Sequence, residues 1–512
     1  MTENNYIAAI DIGGSKVVVA VGDVSPNGEV QILAAYSEPM DGEAVRNGEV
    51  RNVINLQNKV KKCLDNIKEE EGFVIDKAIV NLSGAHIQCV DFDYTINIRN
   101  SAKQVTKSDL DELLAEAINK HTYDNFYIVD IIPQAYYVDG LHVSSPLGTI
   151  GKKIKGEFCV MVCDKTHKIV FDQIFKSLGI TPLAYTLSAL ASAEAVLLDD
   201  EREYGVAMID IGSDCCDIVV YKDNIPCDLG VVPLGGRNIN DDIASLKVLP
   251  RYIESIKVNY ARALAENADY NKVISLPIKS DNINKRVIVR ELCGVVEARV
   301  REMAEEVMHF LEDGGRFRGL GAGIVLTGGC AKLQDIDVVF KDVTGYDNVV
   351  VRYPNMAGQE NSEVLNDPEY STVVGLLMNG KFLITNANYR NGVTCMEKEE
   401  EEAPMDRFVE PENEIMDERY ILKEEEDEEE EVEVVVKEER DIIIVDDAPK
   451  EEDEEDEEED EDEDEEEDEE YEDDDEYEDD DEEEEKKASP LKNFFGRFKL
   501  SEPKDDVNDI DR

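Results

Sequence analysis

Positive charge is scarce in this chain. Lysine and arginine number 53 against 119 aspartate and glutamate, a formal charge of −66 over 512 residues. So negative a surface repels phosphates and argues against nucleic acid as the main partner. Long apolar runs are missing too. None approaches the ~20 residues that a membrane-spanning helix needs, so any membrane contact is expected to be peripheral. The 10 cysteines include no Cys-x-x-Cys pair; Cys159 and Cys163 are the nearest separated pair, and Cys215 and Cys216 are adjacent. Most sit in apolar runs, where a free thiol acts as a small hydrophobe. With no signal peptide, a reducing cytoplasm is expected.

The acid is not spread evenly. Residues 1–390 read as globular. Between Glu451 and Glu485 every residue is Asp or Glu except Tyr471 and Tyr477. A block of like charge cannot bury enough apolar surface to offset chain entropy, so 391–488 is expected to be a disordered linker. Two apolar islands interrupt it, Val432 to Val436 and Ile442 to Val445. They have the character of short binding motifs.

The most informative feature is an internal echo. Tyr6 to Ile12 is an apolar run carrying Asp11, followed by the small turn Gly13-Gly14-Ser15-Lys16 and the run Val17 to Val21. About two hundred residues later, Val206 to Ile211 carries Asp210, followed by Gly212-Ser213-Asp214 and the run Cys215 to Tyr221. Each reads as a buried strand, a tight turn and a second strand. Small turn residues let backbone N–H groups approach an anion. A carboxylate beside them would act through Mg²⁺, which bridges carboxylates to phosphates. Two such hairpins facing each other would grip a triphosphate. A third element, Gly323 to Gly329, is a strand ending in Thr327-Gly328-Gly329, where bare backbone would accept an adenosine.

These three elements, in this order and spacing, resemble the actin, Hsp70 and sugar kinase superfamily. The segments 187–193 and 371–376 resemble its connecting helices. Within it, Ile132 to Gly140 (IPQAYYVDG), Leu82 to Ile87 (LSGAHI), Val232 to Ala244, and Glu254-x-x-Lys257-x-x-Tyr260 are similar to segments of the FtsA family of bacterial cell-division proteins. The first two are fairly specific to that family, and the resemblance covers residues 5–385.

The resemblance implies an α/β, actin-like, two-lobed fold with duplicated ribonuclease-H-like subdomains. The first large subdomain would be 1–82 with 156–204, and the family's own small subdomain 83–155. The second large subdomain would be 205–235 with 322–390, and the second small subdomain 236–321. It implies ATP and Mg²⁺ as cofactors. Gly13, Gly14, Ser15, Lys16, Gly212 and Ser213 would line the phosphates. Gly328, Gly329, Glu254 and Lys257 would face adenosine, and Asp11 and Asp210 would hold Mg²⁺ through water. It also implies self-association, recruitment of later division proteins, and binding of the C-terminal peptide of the tubulin-like protein FtsZ at 236–321. Lys247, Arg251, Lys257, Arg262, Lys272, Lys279, Lys285 and Arg286 are the basic residues there.

The chain departs from the family at the second loop, where Ser213 and Asp214 replace glycines and Cys215 and Cys216 replace threonines. An Asp facing phosphate is repulsive unless metal intervenes or the side chain points to solvent. Ser188-Ala189 stands where many superfamily members carry Glu-Pro, which removes a group for positioning an attacking water. ATP binding is therefore expected to survive and hydrolysis to be slow or absent. A small-molecule kinase, or an actin homologue of pilus assembly or plasmid partition, is the alternative reading.

Beyond the acid block, Leu491, Phe494, Phe495 and Phe498 recur at i, i+3, i+4 and i+7, one face of a helix. Leu500 extends the apolar set, Lys492, Arg497 and Lys499 supply positive charge, and Ser489 and Pro490 suit an N-cap and first position. The spacing predicts an amphipathic helix over 489–501, with the pattern of an interfacial anchor or of a short peptide that docks in a protein groove. The resemblance favours the membrane, since the family ends in a membrane-targeting helix, and it implies the cytoplasmic face at the division site. Each buried large apolar side chain contributes roughly 1.5–3 kcal/mol, and each basic residue near an anionic surface about 1 kcal/mol. One copy would bind weakly, and many copies on a filament would bind well by avidity.

Overall fold

Uninterrupted apolar runs become strands buried on both faces, the signature of sheets covered by helices. The computed structural model describes residues 6–24, 29–40, 42–100, 103–120, 125–277, 284–314, 319–355, 365–384, 393–395 and 443–445. One unit of the chain spans Met1–Pro449 and a second Lys450–Arg512, whose residues lie outside those described. The amphipathic segment 489–501 and the island Val432 to Val436 are among the residues outside.

The first sheet opens with a meander of β1 (Tyr6–Ile12), β2 (Lys16–Val24) and β3 (Val30–Pro39). A small hairpin, β4 (Val45–Arg46) and β5 (Glu49–Val50), leads into α1 (Val53–Asn66), whose N-cap Asn52 accepts from the backbone of Asn55. Then come β6 (Phe73–Ile75) and β7 (Lys77–Leu82). The chain next leaves this sheet for an insert made of β8 (Gln88–Asn97), α2 (Lys107–Lys120), β9 (Phe126–Val138), β10 (Leu141–Val143) and β11 (Lys153–Asp164). It returns through α3 (Lys165–Ser177), β12 (Thr181–Leu187), α4 (Ser188–Val196) and α5 (Asp199–Tyr204).

The second half repeats the plan. β13 (Val206–Ile211), β14 (Cys216–Lys222) and β15 (Ile225–Val232) form another meander. The excursion that follows holds α6 (Gly236–Ser245), α7 (Pro250–Tyr260), β16 (Val273–Pro277), β17 (Asn284–Ile288) and the long α8 (Val289–Asp313). The sheet resumes with β18 (Gly323–Thr327), α9 (Ile336–Thr344) and β19 (Val349–Val351), and α10 (Ser371–Ile384) follows.

Strand order is β12-β7-β1-β2-β3 in the first sheet and β15-β14-β13-β18-β19 in the second. Each is an antiparallel three-stranded meander extended by two parallel strands, with the Asp-bearing strand in the middle. The echo in the sequence is thus a duplicated topology, and the fold is actin-like. Two helices close the crossing between the sheets. α4 is rich in small buried residues, among them Ala189, Ala191, Ser192 and Ala193. That lets α10 approach so closely that a Cβ on Gly375 would stand 1.7 Å from the carbonyl oxygen of Ala191.

The insert packs its own core, including Leu113, Val138, Ile154 and Phe158, under the sheet β10-β9-β11-β8. The VDG of the IPQAYYVDG segment has a local reason. Asp139 (φ 49°) and Gly140 (φ 85°) are the two central residues of the β9–β10 hairpin, where positive φ matches the strand twist. The Asp139 carboxylate also accepts from the backbone N–H groups of Lys152 and Lys153, both at 2.9 Å.

Two findings depart from the sequence reading. Cys89 and Cys159, expected to be free thiols, are joined in a disulfide, because β8 and β11 run side by side and bring their Cα atoms to 6.2 Å. The acidic stretch is also not without structure throughout. β20 (Val393–Cys395) pairs with β6, and β21 (Ile443–Val445) pairs with β16.

Candidate functional site

The two echoing turns face each other across a cleft. In the first, the Gly13 N–H donates to the Lys16 carbonyl at 3.0 Å; in the second, the Gly212 N–H donates to the Cys215 carbonyl at 2.9 Å. The same hydrogen bond closes both hairpins, and it leaves the intervening backbone turned into the cleft. A cavity of about 120 Å³ is lined there by Asp11, Lys16, Asp210, Ser213, Asp217 and Gly328, among others. Gly13, Gly14, Ser15, Gly212 and Gly329 line it too. A larger cavity, about 620 Å³, lies between the insert and the β14–β15 edge, away from these turns.

Carboxylates crowd the cleft. Asp11 is buried, and desolvation with the nearby Asp210 pushes its pKa up to about 7, while Lys16 opposes the shift. Asp210 is also raised by burial, partly offset by hydrogen bonds from Ser192 Oγ (2.5 Å) and Thr372 Oγ1 (3.1 Å). Asp217 sits opposite Asp210 in the β13–β14 register; burial and Asp210 push it up to about 8. Ser83 Oγ lies 2.8 Å from both Asp217 oxygens. Buried acids held this way gain from a cation that offsets their charge.

The end of β1 is pinned by Asn81. Its Oδ1 accepts from Ile12 N at 2.7 Å, and its Nδ2 donates to Ile12 O at 3.3 Å and to Ser188 Oγ at 3.1 Å. Gly328 must be glycine: its φ is +90°, and a Cβ would meet Asp210 Oδ1 at 2.3 Å. Lys16 Nζ lies 3.1 Å from Glu369 Oε2 and 3.7 Å from the Tyr370 ring centroid; burial lowers its pKa. Glu254 and Lys257 pair with each other at 2.9 Å and do not line the cavity. Lys257 Nζ donates to Gly236 O at 3.3 Å, beside Cys330 rather than inside the cleft.

Asp214 takes neither course considered from the sequence. It does not point to solvent, being 5% exposed, and it is not left as a bare charge. Arg237 Nε donates to its Oδ1 at 2.5 Å, and its Oδ2 accepts from Asn47 N at 3.3 Å. Arg237, Asn81, Ser83, Ser192, Glu369 and Thr372 are the residues that sequence reading did not place at the site. Each comes from a segment remote in sequence, and their polar types carry no periodic signal. The stretch Val232 to Ala244, which holds Arg237, and the LSGAHI stretch, which holds Ser83, were the available pointers.

The site suits an anion with a cation. Ser213 Oγ is buried at the cavity without a hydrogen-bond partner, as a donor awaiting an acceptor would be. The cavity is smaller than the roughly 300–1,000 Å³ of small-molecule pockets, so a nucleotide would need the cleft to open.

Family comparisons agree with this architecture. The model of "Cell division protein FtsA" matches residues 207–375, and that of "SHS2 domain inserted in FTSA" matches residues 84–162. The chain belongs to the FtsA family. The FtsA of Pseudomonas aeruginosa is 29% identical over 381 residues, covering 73% of this chain and 89% of that one. The FtsA of Bacillus subtilis is 28% identical, covering 74% and 84% respectively. Among solved structures, the PilM-PilN type IV pilus biogenesis complex superposes with a TM-score of 0.51 at 15% identity, covering 73% of this chain and 98% of that one. That likeness concerns the fold alone. Membership of the FtsA family makes this chain an actin-like cell-division protein.

Proposed function

We propose that the chain binds Mg-ATP between its two Asp-bearing hairpins, self-associates, and tethers FtsZ filaments to the inner face of the cytoplasmic membrane. The observation that carries the nucleotide reading is the pairing of the two turns. Asp11 and Asp210 lie on equivalent strands of duplicated sheets, and both turns line one cavity. Gly13, Gly14, Ser15, Lys16, Gly212 and Ser213 would cradle phosphates, Gly328 and Gly329 would face adenosine, and Asp11 and Asp210 would hold Mg²⁺ through water. Bound Mg²⁺ would supply positive charge to offset the buried carboxylates and the phosphates. Ser188 is held by Asn81 and the Leu82 carbonyl, which supports binding with slow or absent hydrolysis.

The four-subdomain division from the sequence is part of the same proposal, with 236–321 receiving the C-terminal peptide of FtsZ. The foot at 489–501 would place the chain at the membrane of the division site, where it would help recruit later division proteins. Among the described residues no helix is long and apolar enough to cross a membrane.

The test is sedimentation with anionic liposomes. The full chain is compared with a version ending at Ser489, each with and without Mg-ATP. The full chain should pellet with lipid and the truncated chain should stay in solution. If both remain soluble in all conditions, the tether reading fails.

A further inference from the structure

The small sheet of the second excursion has the order β17-β16-β21, so its third strand comes from the acidic tail. Antiparallel pairing sets Ile443 against Ser275, Ile444 against Ile274 and Val445 against Val273. Without β21, β16 and β17 would be a two-stranded hairpin seated on the core through Ile274 and Val287, with the edge of β16 open for pairing. Pro277 ends the strand and lacks an N–H, which limits the usable edge to a short segment.

Charge fits this match as well. Lys272 precedes β16, and Lys285 and Arg286 lie on β17, with Arg286 paired to Ser275. In sequence, the island Ile442 to Val445 is flanked by Asp441 on one side and by Asp446 and Asp447 on the other. Four β-branched residues in a row have high strand propensity, and they stand in a tail otherwise dominated by acid.

We propose that the edge of β16 is a strand-addition site for a short β-branched peptide with acidic flanks. The chain's own island is its resident occupant and keeps the site closed to a like segment of another polypeptide. Roughly fifty residues separate β20 from β21, and a tether of that length gives the segment a local concentration on the order of millimolar at the edge. A competing peptide must overcome that concentration, so the tail sets the threshold for binding at this edge.

The test uses the full chain and Ile444→Pro, which removes an N–H from the added strand outside the folded lobes. Amide hydrogen exchange over 273–276 should speed up about tenfold or more in the variant, with exchange in β13 and β14 unchanged. A synthetic peptide spanning 441–447 should bind the variant and restore slow exchange, and should bind the parent at least about tenfold more weakly. Lys272→Glu with Arg286→Glu, added to Ile444→Pro, should weaken that peptide. Equal exchange in parent and variant, with no binding of the peptide to either, would overturn the proposal. Protection that falls on dilution would also overturn it, by assigning the strand to a second copy.

Discussion

Asp214 and Arg237 form an ion pair between the second phosphate-type turn and the start of α6, Oδ1 to Nε at 2.5 Å. The same guanidinium donates through Nη2 to the carbonyl of Gly14 at 3.1 Å, so one arginine ties the second turn to the first. Gly14 is what lets the two turns touch, since a Cβ there would stand 2.0 Å from Asp214 Oδ2. The aspartate that replaces a family glycine is thereby converted from a repulsive charge into part of a latch across the cleft.

Removing one partner of this latch should cost stability and free the cleft. Arg237→Ala leaves a buried carboxylate without its cation and should destabilise by roughly 2–4 kcal/mol, the lower range reflecting the partial exposure of the arginine. Asp214→Gly with Arg237→Ala should recover part of that loss. Urea titration of the two single variants and the double variant gives the coupling, and strictly additive effects would show that the pair does not act as a unit.

The buried acids make the cleft sensitive to pH. Asp11 has its folded pKa raised from 3.8 to about 7. It therefore favours the fold fully below pH 3.8, and that contribution is lost as pH rises through 7. Asp11→Asn should raise stability at pH 8 by roughly 2 kcal/mol without nucleotide. Mg-ATP should stabilise the parent and not the variant. Thermal melts at pH 5 and pH 8, with and without Mg-ATP, check both statements.

His86 gives the opposite slope. Its ring stacks on His167 with centroids 3.7 Å apart, and neither of its ring nitrogens has a hydrogen-bond partner. Desolvation and the neighbouring His167 lower its pKa to about 3, against a weaker opposing effect of Asp164. The unfolded chain takes up a proton below pH 6.5 that the folded chain refuses, so stability falls as pH drops from 6.5 toward 3. The slope approaches about 1.4 kcal/mol per pH unit. His86→Phe should flatten that decline, measurable by denaturant titration at pH 7, 6 and 5.

The α4–α10 crossing tolerates no side chain at Gly375. Gly375→Ala sets a methyl against the Ala191 carbonyl and forces the helices apart. Overpacking of this kind costs typically 1–3 kcal/mol, and the contact with rigid backbone places this variant at the upper end. A melting temperature equal to the parent's would show that the helices separate freely.

Much of the scaffold was legible in the sequence. Apolar runs broken by small turns announced both hairpins, because a buried strand needs continuous hydrophobicity and a tight turn needs residues without bulk. The placing of Gly13, Gly212 and Gly328 at one cavity followed from that pattern. Asn81, Ser192 and Thr372 did not, because a polar side chain that bonds across a fold has no preferred sequence spacing. That Glu254 and Lys257 pair with each other and do not line this cavity was not legible for the same reason: the helix was evident, but its facing was not.

The sequence alone therefore determined the duplicated strands, the turn chemistry, the acidic tail and the family. Local propensity and the pattern of burial are written residue by residue. Only the tertiary structure decided that Asp214 meets Arg237, that Cys89 meets Cys159, and that Ile443–Val445 completes a distant sheet. Those contacts join segments tens to hundreds of residues apart, and which of many compatible partners meet is settled by the packing of the whole chain.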